Sequence, residues 1–144
     1  MATTPTGAQE WSRMWHHHGL NIRLLHASHV QHAYSRHSHD YYVVCVIESG
    51  LQSFSHGGAT HKTPPGGVIL INPGAAHTGE PADRRGFVMR SLYPTSAHLE
   101  AVYADLTGRA ARLPSFRQVR IDDRYARDRI VGLHRALADN APAL

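Results

Sequence analysis

Three histidines in two short stretches are the residues whose types and spacing best support chemistry. His37 and His39 stand two positions apart, and His77 follows a Pro-Gly turn much later in the chain. Side chains two positions apart on a strand share one face, so we expect His37 and His39 to point the same way from a single strand. Imidazole nitrogens are good ligands for Zn²⁺ and related ions. The pattern predicts that the three rings meet at the mouth of a small β-barrel, around a metal ion or a small molecule.

Short strands separated by turns must position these histidines. Val, Ile and aromatic residues dominate the segments concerned, and glycine or proline pairs interrupt them, as at Gly57-Gly58 and Pro64-Pro65. Six or more short strands, with turn signals about every ten residues, are typical of a β-sandwich or barrel. The sequence predicts strands within residues 20–34, 41–47, 51–55, 60–63, 68–71 and 86–93.

A helix is expected after the strands, over residues 96–106. Thr95 or Ser96 would cap its N-terminus. Gly108 would end it, because glycine readily adopts the left-handed conformation that closes many helices. The apolar stripe of this helix consists of Leu99, Val102 and Leu106.

A second helix is expected from a cap at Asp122 or Asp123 to about residue 139. One side of it is apolar apart from a histidine. Such a stripe packs either on the chain's own barrel or on a copy of itself from a second chain. The residues of the stripe are Ile130, Leu133, His134 and Leu137.

These elements divide the chain into three parts. Residues 1–18 begin with small polar residues and become rich in tryptophan and histidine, which predicts an arm laid over the domain. Residues 19–121 form the predicted barrel together with the first helix, near residues 96–107. Residues 122–144 comprise the second helix and the start of a linker, at Asn140-Ala141-Pro142.

Composition places the chain among ordinary globular domains. Of 144 residues, 42% are hydrophobic and 18% are charged. No apolar run approaches the ~20 residues needed to span a bilayer. The N-terminus lacks the apolar stretch of a secretion signal, and Cys45 is the single cysteine. We therefore expect a cytoplasmic protein with no membrane partner.

The formal charge of +4 does not by itself predict a nucleic-acid surface. Arginines are frequent from Arg109 to Arg135, but aspartates interrupt them. DNA-binding modules usually add a recognisable helix-turn-helix or similar motif, and none is visible. We expect no direct contact between this chain and nucleic acid.

Several strings, in a fixed order, resemble the N-terminal effector-sensing domain of AraC-type (arabinose-regulator-like) transcriptional regulators. They are HSHDYYVVCVIESGLQSFSHGG, then PPGGVILINPGAAHTGEP, and then the strand over residues 87–94. The most specific elements are the H-x-H-D opening, the block G-x5-P-G-x2-H with Asn72 before Pro73, and the His-Thr-Gly-Glu that follows. The resemblance covers residues 20–94 and, less closely, the two helices.

The resemblance implies a mainly β fold, a cupin-type jelly-roll barrel (double-stranded β-helix) followed by two C-terminal helices. In this family the barrel mouth accepts a small effector, and the helices mediate dimerisation and lead into a DNA-binding domain of two helix-turn-helix units. This sequence ends at Leu144, before that domain would begin, so we expect the sensing part of a longer regulator rather than a stand-alone relative. The expected partners are a small-molecule effector, a second copy of the chain, and DNA only through the further domain. We expect no enzymatic activity.

A similarity to metal-binding cupins makes His37, His39 and His77 a candidate site for Zn²⁺ or Ni²⁺. In those cupins a glutamate follows the second histidine after three or four intervening residues and supplies a carboxylate ligand. Here the corresponding positions are Val43 and Val44. Glu48 is expected on the opposite strand face. Two alternatives stay open: three rings and water hold a metal, or the histidines only hydrogen-bond at the mouth. A metal-dependent cupin isomerase or dioxygenase using the three histidines is the competing function.

The effector pocket is predicted from strand parity and from charges within strands. Residues of the same parity as His39 face inward. An arginine inside a strand is costly unless paired, so it suggests a bidentate clamp for an anionic ligand. A solvent-facing side chain is the alternative for each of the two arginines concerned. The predicted pocket residues are Arg23, His39, Tyr41, Val43, Met89 and Arg90.

Overall fold

The computed structural model describes residues 9–144, and this part of the chain forms ten β-strands and two α-helices. The mainly β fold expected from the sequence is confirmed. No helix within these residues is long and apolar enough to cross a membrane. In chain order the elements are β1 Trp11–His17, β2 Ile22–His29, β3 Tyr34–His37, β4 Val43–Gly50, β5 Gln52–His56, β6 Ala59–Thr63, β7 Val68–Ile71, β8 His77–Pro81, β9 Phe87–Tyr93, α1 Ser96–Thr107, β10 Arg120–Ile121 and α2 Arg124–Asp139.

Strands that are distant in sequence lie side by side in two sheets. The larger sheet has the order β1-β2-β9-β4-β7-β10, and the smaller has the order β3-β8-β5-β6. All of these neighbours pair antiparallel. From β3 to β9 the chain passes repeatedly from one sheet to the other, so that each sheet is built from interleaved segments. This crossing arrangement is that of a jelly roll, which confirms the predicted barrel.

Apolar side chains on the facing surfaces hold the two sheets together. In β4, Val43, Cys45 and Ile47 alternate toward the interior and pair in register with β7 and β9. Phe54 of the smaller sheet is fully buried among them. Burying a side chain of this size contributes roughly 1.5–3 kcal/mol relative to leaving it exposed. The interior near these residues is therefore the stable core of the barrel.

Two glycines allow the strands to meet closely at the end of the barrel remote from His77. Gly86 has a φ of +69°, and a Cβ there would lie 2.4 Å from the carbonyl oxygen of His29. At Gly50, with a φ of +77°, a Cβ would lie 2.0 Å from the carbonyl oxygen of Gly86. Both positions require glycine, because any side chain would be strained and would collide with backbone atoms.

Both helices begin at residues that the sequence indicated as caps. At α1 the Thr95 hydroxyl accepts from the backbone N–H of His98, and the His98 ring accepts from the backbone N–H of Thr95. Gly108, with a φ of +66°, ends this helix. At α2 the Asp123 carboxylate accepts from the backbone N–H of Ala126. Two predicted helices are thus confirmed, with boundaries close to those expected.

The apolar stripe of α1 remains in contact with solvent. Val102 is 50% exposed and Leu106 is 79% exposed, and α1 contains no buried residue. The helix is tied to the barrel near its N-terminus, where Nε2–H of His98 donates to the carbonyl of Leu20 at 2.6 Å. Polar contacts rather than an apolar face therefore anchor α1.

Helix α2 packs on the outer face of the larger sheet. His134 is 0% and Leu137 is 8% exposed, and Ile130 is half-buried beside them. Leu133, by contrast, is 50% exposed. Of the two alternatives for this stripe, packing on the chain's own barrel accounts for most of it, since docking there shields Ile130 and Leu137 from water. Of the four residues, Leu133 is left on the free side of the helix.

Two expectations about the strands differ from the structure. The segment expected to be an arm, residues 1–18, is an edge strand from Trp11 to His17, paired with β2 along its length; residues 1–8 lie outside the described part. His37 ends β3, whereas His39 lies in the bend before β4, so these two histidines do not share one strand. Period-two counting fails there because the chain turns from the smaller sheet into the larger one.

The docking of α2 can be tested by replacing leucine with alanine at two positions of the helix, one buried and one exposed. Leu137→Ala should destabilise the domain by about 2–5 kcal/mol, because it leaves a cavity between α2 and the sheet. Leu133→Ala, at an exposed position, should change the stability by less than about 0.5 kcal/mol. Urea unfolding followed by circular dichroism measures both. Equal, small losses would contradict the docking described.

Candidate functional site

A cavity of about 540 Å³ lies between the two sheets, where their inner side chains do not meet. Inner-face residues of β2, β4, β7 and β9 form one wall, and residues of β3, β5 and β8 form the other. Protein cores are otherwise packed with few voids larger than a water molecule. Small-molecule sites are concave and have volumes of roughly 300–1,000 Å³. The cavity is therefore the candidate binding site.

The three predicted histidines lie together at one end of this cavity. His37, at the end of β3, is paired in register with His77, the first residue of β8, and the bend before β4 brings His39 beside them. The ring centroid of His37 lies 4.4 Å from that of His77 and 4.6 Å from that of His39. One ligand atom from each ring can be chosen so that all lie within 4.8 Å of one another. We call these three residues the histidine trio.

Hydrogen bonds set the orientation of two rings in the trio. Nδ1 of His37 bonds to the carbonyl of Ser35, and Nδ1 of His77 bonds to the carbonyl of Ala75 at 2.9 Å. A carbonyl only accepts, so each Nδ1 carries a proton, and in the neutral form of either ring the lone pair is on Nε2. This is how a protein prepares a histidine as a metal ligand. The trio can accordingly hold an ion or accept hydrogen bonds from a ligand.

The electrostatic environment favours the neutral form of His39 and His77. Burial lowers the pKa of His39, and the neighbouring His37 and His77 lower it further. Burial also lowers the pKa of His77, against the hydrogen bond to Ala75, which raises it. At neutral pH the two rings therefore bring lone pairs rather than charge to the mouth.

The structure brings five of the six predicted pocket residues to the cavity wall. Tyr41 stacks on His39, with the ring centroids 4.5 Å apart and the planes 15° from parallel. Tyr93 meets Tyr41 edge to face at 5.4 Å. Burial raises the pKa of Tyr41, and the positive charge of Arg23 opposes this rise. The Arg23 guanidinium therefore lies near Tyr41, at the histidine end of the cavity. The five residues are Arg23, His39, Tyr41, Val43 and Met89.

Arg90 does not line the cavity, which corrects the expectation that it contributes to the pocket. Its neighbours in β9, Met89 and Ser91, take the inner face, so alternation puts Arg90 on the outer face. There Nε donates to Glu48 at 3.0 Å, and Glu48 also bonds to His26 at 2.9 Å. Burial alone would raise the pKa of Glu48, but the bonds from His26 and Arg90 lower it to about 2.

Glu48 is therefore committed to the outer face and cannot serve as a fourth ligand. Within residues 9–144 the cluster able to hold an ion consists of the three histidines without a carboxylate. Such a set matches zinc sites with three protein ligands, in which water or another small ligand takes the open position.

His134 of α2 completes the polar network on the outer face. Its Nε2–H donates to the carbonyl of Leu25 at 3.0 Å, and its Nδ1 accepts from the guanidinium of Arg90 at 3.2 Å. Both ring nitrogens are satisfied only when the ring is neutral. Burial and the charge of Arg90 accordingly lower the pKa of His134 to about 4. Because the side chain of Leu25 lines the cavity, this one residue links the cavity wall to α2.

The far end of the cavity contains residues that sequence reasoning missed. His29 is buried and bonds to the Tyr34 hydroxyl at 2.8 Å and to Glu10 at 3.3 Å. Gln52 is also buried there, and its Oε1 has no hydrogen-bond partner among the described residues. Strand parity on β2 would have placed His29 inside. No sequence signal indicated Glu10 or Gln52, since their partners are far away in the chain.

Fold and site together define a cupin-type β-barrel with an internal cavity. The sequence matches the family of the AraC-like ligand binding domain over residues 19–143, and the chain belongs to this family. It is 28% identical over 99 residues to the uncharacterized HTH-type transcriptional regulator YbfI of Bacillus subtilis (strain 168). That match covers 69% of this chain and 36% of the regulator, so the chain spans about a third of the length of this relative.

Solved structures confirm the fold without indicating an activity. Oxalate decarboxylase of Bacillus subtilis, a protein with Mn(II) centres, superposes with a TM-score of 0.53 and 11% identity over 79% of this chain and 38% of its own. Procruciferin, an 11S globulin of Brassica napus, has the same TM-score and identity over 62% of this chain and 29% of its own. An enzyme and a globulin thus share the barrel.

Replacing His134 with glutamine gives a pH-dependent test of the outer-face network. Glutamine can still donate to Leu25 and accept from Arg90, but it does not titrate. The pKa of His134 is about 4 in the folded protein, against 6.5 for a histidine fully exposed to water, so the unfolded chain binds the extra proton first as the pH falls. Wild type should therefore lose stability from pH 6.5 to 4 faster than His134→Gln, by up to about 1.4 kcal/mol per pH unit.

Denaturant unfolding of both proteins at several pH values measures this difference. The groups facing His134, namely Arg90, His26 and Glu48, are present in both proteins, so their own titration largely cancels. Parallel stability curves for the two proteins would contradict a neutral, doubly bonded His134.

Proposed function

We propose that this chain is the small-molecule-sensing and dimerisation domain of a bacterial, cytoplasmic AraC-type transcription regulator. An effector in the barrel would control a DNA-binding domain that belongs to the longer protein. Membership of the ligand-binding family and the similarity to an HTH-type regulator support this function. We propose further that the chain is a sensor and not an enzyme.

The observation that carries the proposal is the cavity of about 540 Å³ inside the barrel. A void of this size forgoes many packing contacts, and proteins rarely keep one without a use. Its wall combines apolar side chains with polar groups at both ends, as binding sites do. A packed barrel would be the expected form of a purely structural domain.

The outer-face network offers a route from the effector to the DNA-binding domain. The side chain of Leu25 lines the cavity, and its backbone carbonyl accepts a hydrogen bond from His134. Arg90 follows Met89, a cavity residue, and bonds to His134 as well. An effector that favours one position of β2 and β9 would also favour one position of α2, because α2 packs on the same sheet. Binding would thus shift the population of the domain toward one arrangement of strands and helix.

The proposed dimer would use the side of α2 that faces away from the barrel. Leu133 and Tyr125 are exposed there, 50% and 69% respectively. One face of α2 is docked on the barrel and the other is partly apolar. Such a helix is suited to pack against the same helix of a second copy. Of the stripe indicated by the sequence, the dimer surface proposed here keeps Leu133 and adds Tyr125.

We also propose that the histidine trio binds Zn²⁺ or Ni²⁺. The two free Nε2 lone pairs and the spacing within 4.8 Å support this assignment. A bound ion would supply positive charge and open coordination positions at the mouth. The chain's own residues orient the rings, through the carbonyls of Ser35 and Ala75, and keep them partly out of water.

Metal content of protein made without an affinity tag tests the trio. Wild type should bind about one Zn²⁺ per chain, and His77→Ala should bind far less, because two rings remain. His18→Ala is the control, since His18 is exposed, belongs to the histidine run at residues 16–18 and does not line the cavity. Elemental analysis after dialysis gives the ratio. Equal content in wild type and His77→Ala would exclude the trio.

A metal-dependent cupin isomerase or dioxygenase remains the second candidate function. The clustering of the three histidines favours it, because such enzymes need open metal positions. Glu48 weakens this candidate, since the carboxylate that would complete the ligand set is bonded to Arg90 and His26 on the outer face.

A thermal-shift screen of sugars, carboxylates and aromatic acids, followed by mass spectrometry, separates the two functions. An effector at 100 times its dissociation constant stabilises the folded state by about 2.7 kcal/mol, which raises the melting temperature measurably. A sensor should return the stabilising compound unchanged after long incubation with metal-loaded protein under air. Conversion of that compound would contradict sensing alone and support the enzyme.

A further inference from the structure

The mouth of the cavity contains a positive charge without a partner. Arg23 lines the cavity with its side chain also exposed to solvent, and within residues 9–144 it makes no ion pair or hydrogen bond. Tyr41 and the histidine trio, whose side chains can hydrogen-bond to a ligand, surround the same opening. Asp40 is exposed at the rim and does not line the cavity. The mouth is therefore prepared for a carboxylate, which a guanidinium binds in bidentate fashion.

The carboxylate that lines the other end of the cavity, Glu10, already has hydrogen-bond donors. It accepts hydrogen bonds from the backbone N–H groups of Val30, Gln31 and His32. Although burial opposes the shift, these bonds lower the pKa of Glu10 to about 2. Its charge is thus already compensated by the backbone. The cavity favours an anion over an amine.

An apolar belt separates the mouth from the far end. Leu25 and Met89 line one wall, and Phe54 lines the other. Such a belt suits a flat, apolar body, because aromatic rings bury much area for few rotatable bonds. A sugar, whose hydroxyls point in all directions, would leave several of them without partners against these side chains.

At the far end of the cavity, Gln52 requires a hydrogen-bond donor. The residue is 6% exposed, lines the cavity, and its Oε1 accepts no hydrogen bond from the described residues. A buried acceptor left without a donor costs free energy, so the ligand or a water must supply one. On β5, Gln52 stands four residues from His56, which pairs with His77 of the trio. Four strand residues span about 13 Å, which sets the scale of the ligand.

From these features we propose that the ligand of the cavity is a hydroxyaryl carboxylic acid. Its carboxylate pairs with Arg23 at the mouth, its ring lies in the apolar belt, and its hydroxyl donates to Oε1 of Gln52. This assignment rests on the proposed sensing function and names the chemical class of its effector. The histidine trio, with or without an ion, lies beside the carboxylate.

The test is a thermal-shift and calorimetric comparison on the 144-residue chain with a matched set of compounds. The acids are para-hydroxybenzoate, para-hydroxyphenylacetate and para-hydroxyphenylpropanoate, which differ in length. Phenylacetate lacks the hydroxyl, para-hydroxyphenylacetamide lacks the charge, and glucose represents neutral sugars. We expect at least one hydroxy acid to bind more tightly than phenylacetate and the amide, each by roughly tenfold or more.

Two variants assign the ends of the ligand. Arg23→Gln should weaken binding of the best acid roughly tenfold to hundredfold and leave the amide unchanged. Arg13→Gln is the control, because Arg13 lies on the adjacent strand β1 and does not line the cavity. Gln52→Met should reduce the affinity for the hydroxy acid to that for phenylacetate, without destabilising the free protein.

The outcomes distinguish this inference from the sensing function on which it rests. Equal weakening of acid and amide by Arg23→Gln would overturn the carboxylate assignment. Binding of glucose with none of the acids would overturn the hydroxyaryl acid while a ligand-binding domain stands. No binding by any of the three acids would also overturn it. Conversion of a bound acid into a product would instead contradict the sensing function.

Discussion

The period-two alternation of β2, β4 and β9 is the constraint on which the rest of the structure depends. Each of these strands has one face in the cavity and the other under α2. Met89 and Arg90, adjacent in β9, illustrate this, since one lines the cavity and the other bonds to Glu48 and His134. The candidate binding site and the proposed signalling surface are thus separated by the thickness of one sheet. No long pathway is needed between them.

The polar network under α2 determines how the helix is held. A partly buried ion pair such as Arg90–Glu48 contributes little net stability, because desolvation offsets most of the attraction. Its bonds are directional, however, and the neutral ring of His134 fits between the Leu25 carbonyl and Arg90 in one orientation. Leu137 supplies the apolar burial. Together they favour one position of α2 over others, which is what a helix that transmits a state requires.

Sequence reasoning predicted the regular elements of this protein. It was wrong at positions whose conformation or contacts are determined by segments far away in the chain. Turns at glycine, helix caps at Thr95 and Asp123, and inward parity of Val43 follow from local physical rules. The bend at His39 and the outward direction of Arg90 depend on where the chain changes sheets and on the strand phase, which no local pattern determines. The partners of Glu10 and Gln52 lie far away in sequence, so only coordinates reveal them.

Amide hydrogen exchange in α2 tests the central claim most directly, namely that the cavity and α2 are coupled across one sheet. The measurement compares the free chain with the chain saturated by whichever compound stabilises it most. The account predicts that exchange changes in residues 124–139 as well as in the cavity strands, and that His134→Gln alters the change in the helix. A change confined to the cavity strands, with α2 exchanging as before, would contradict it.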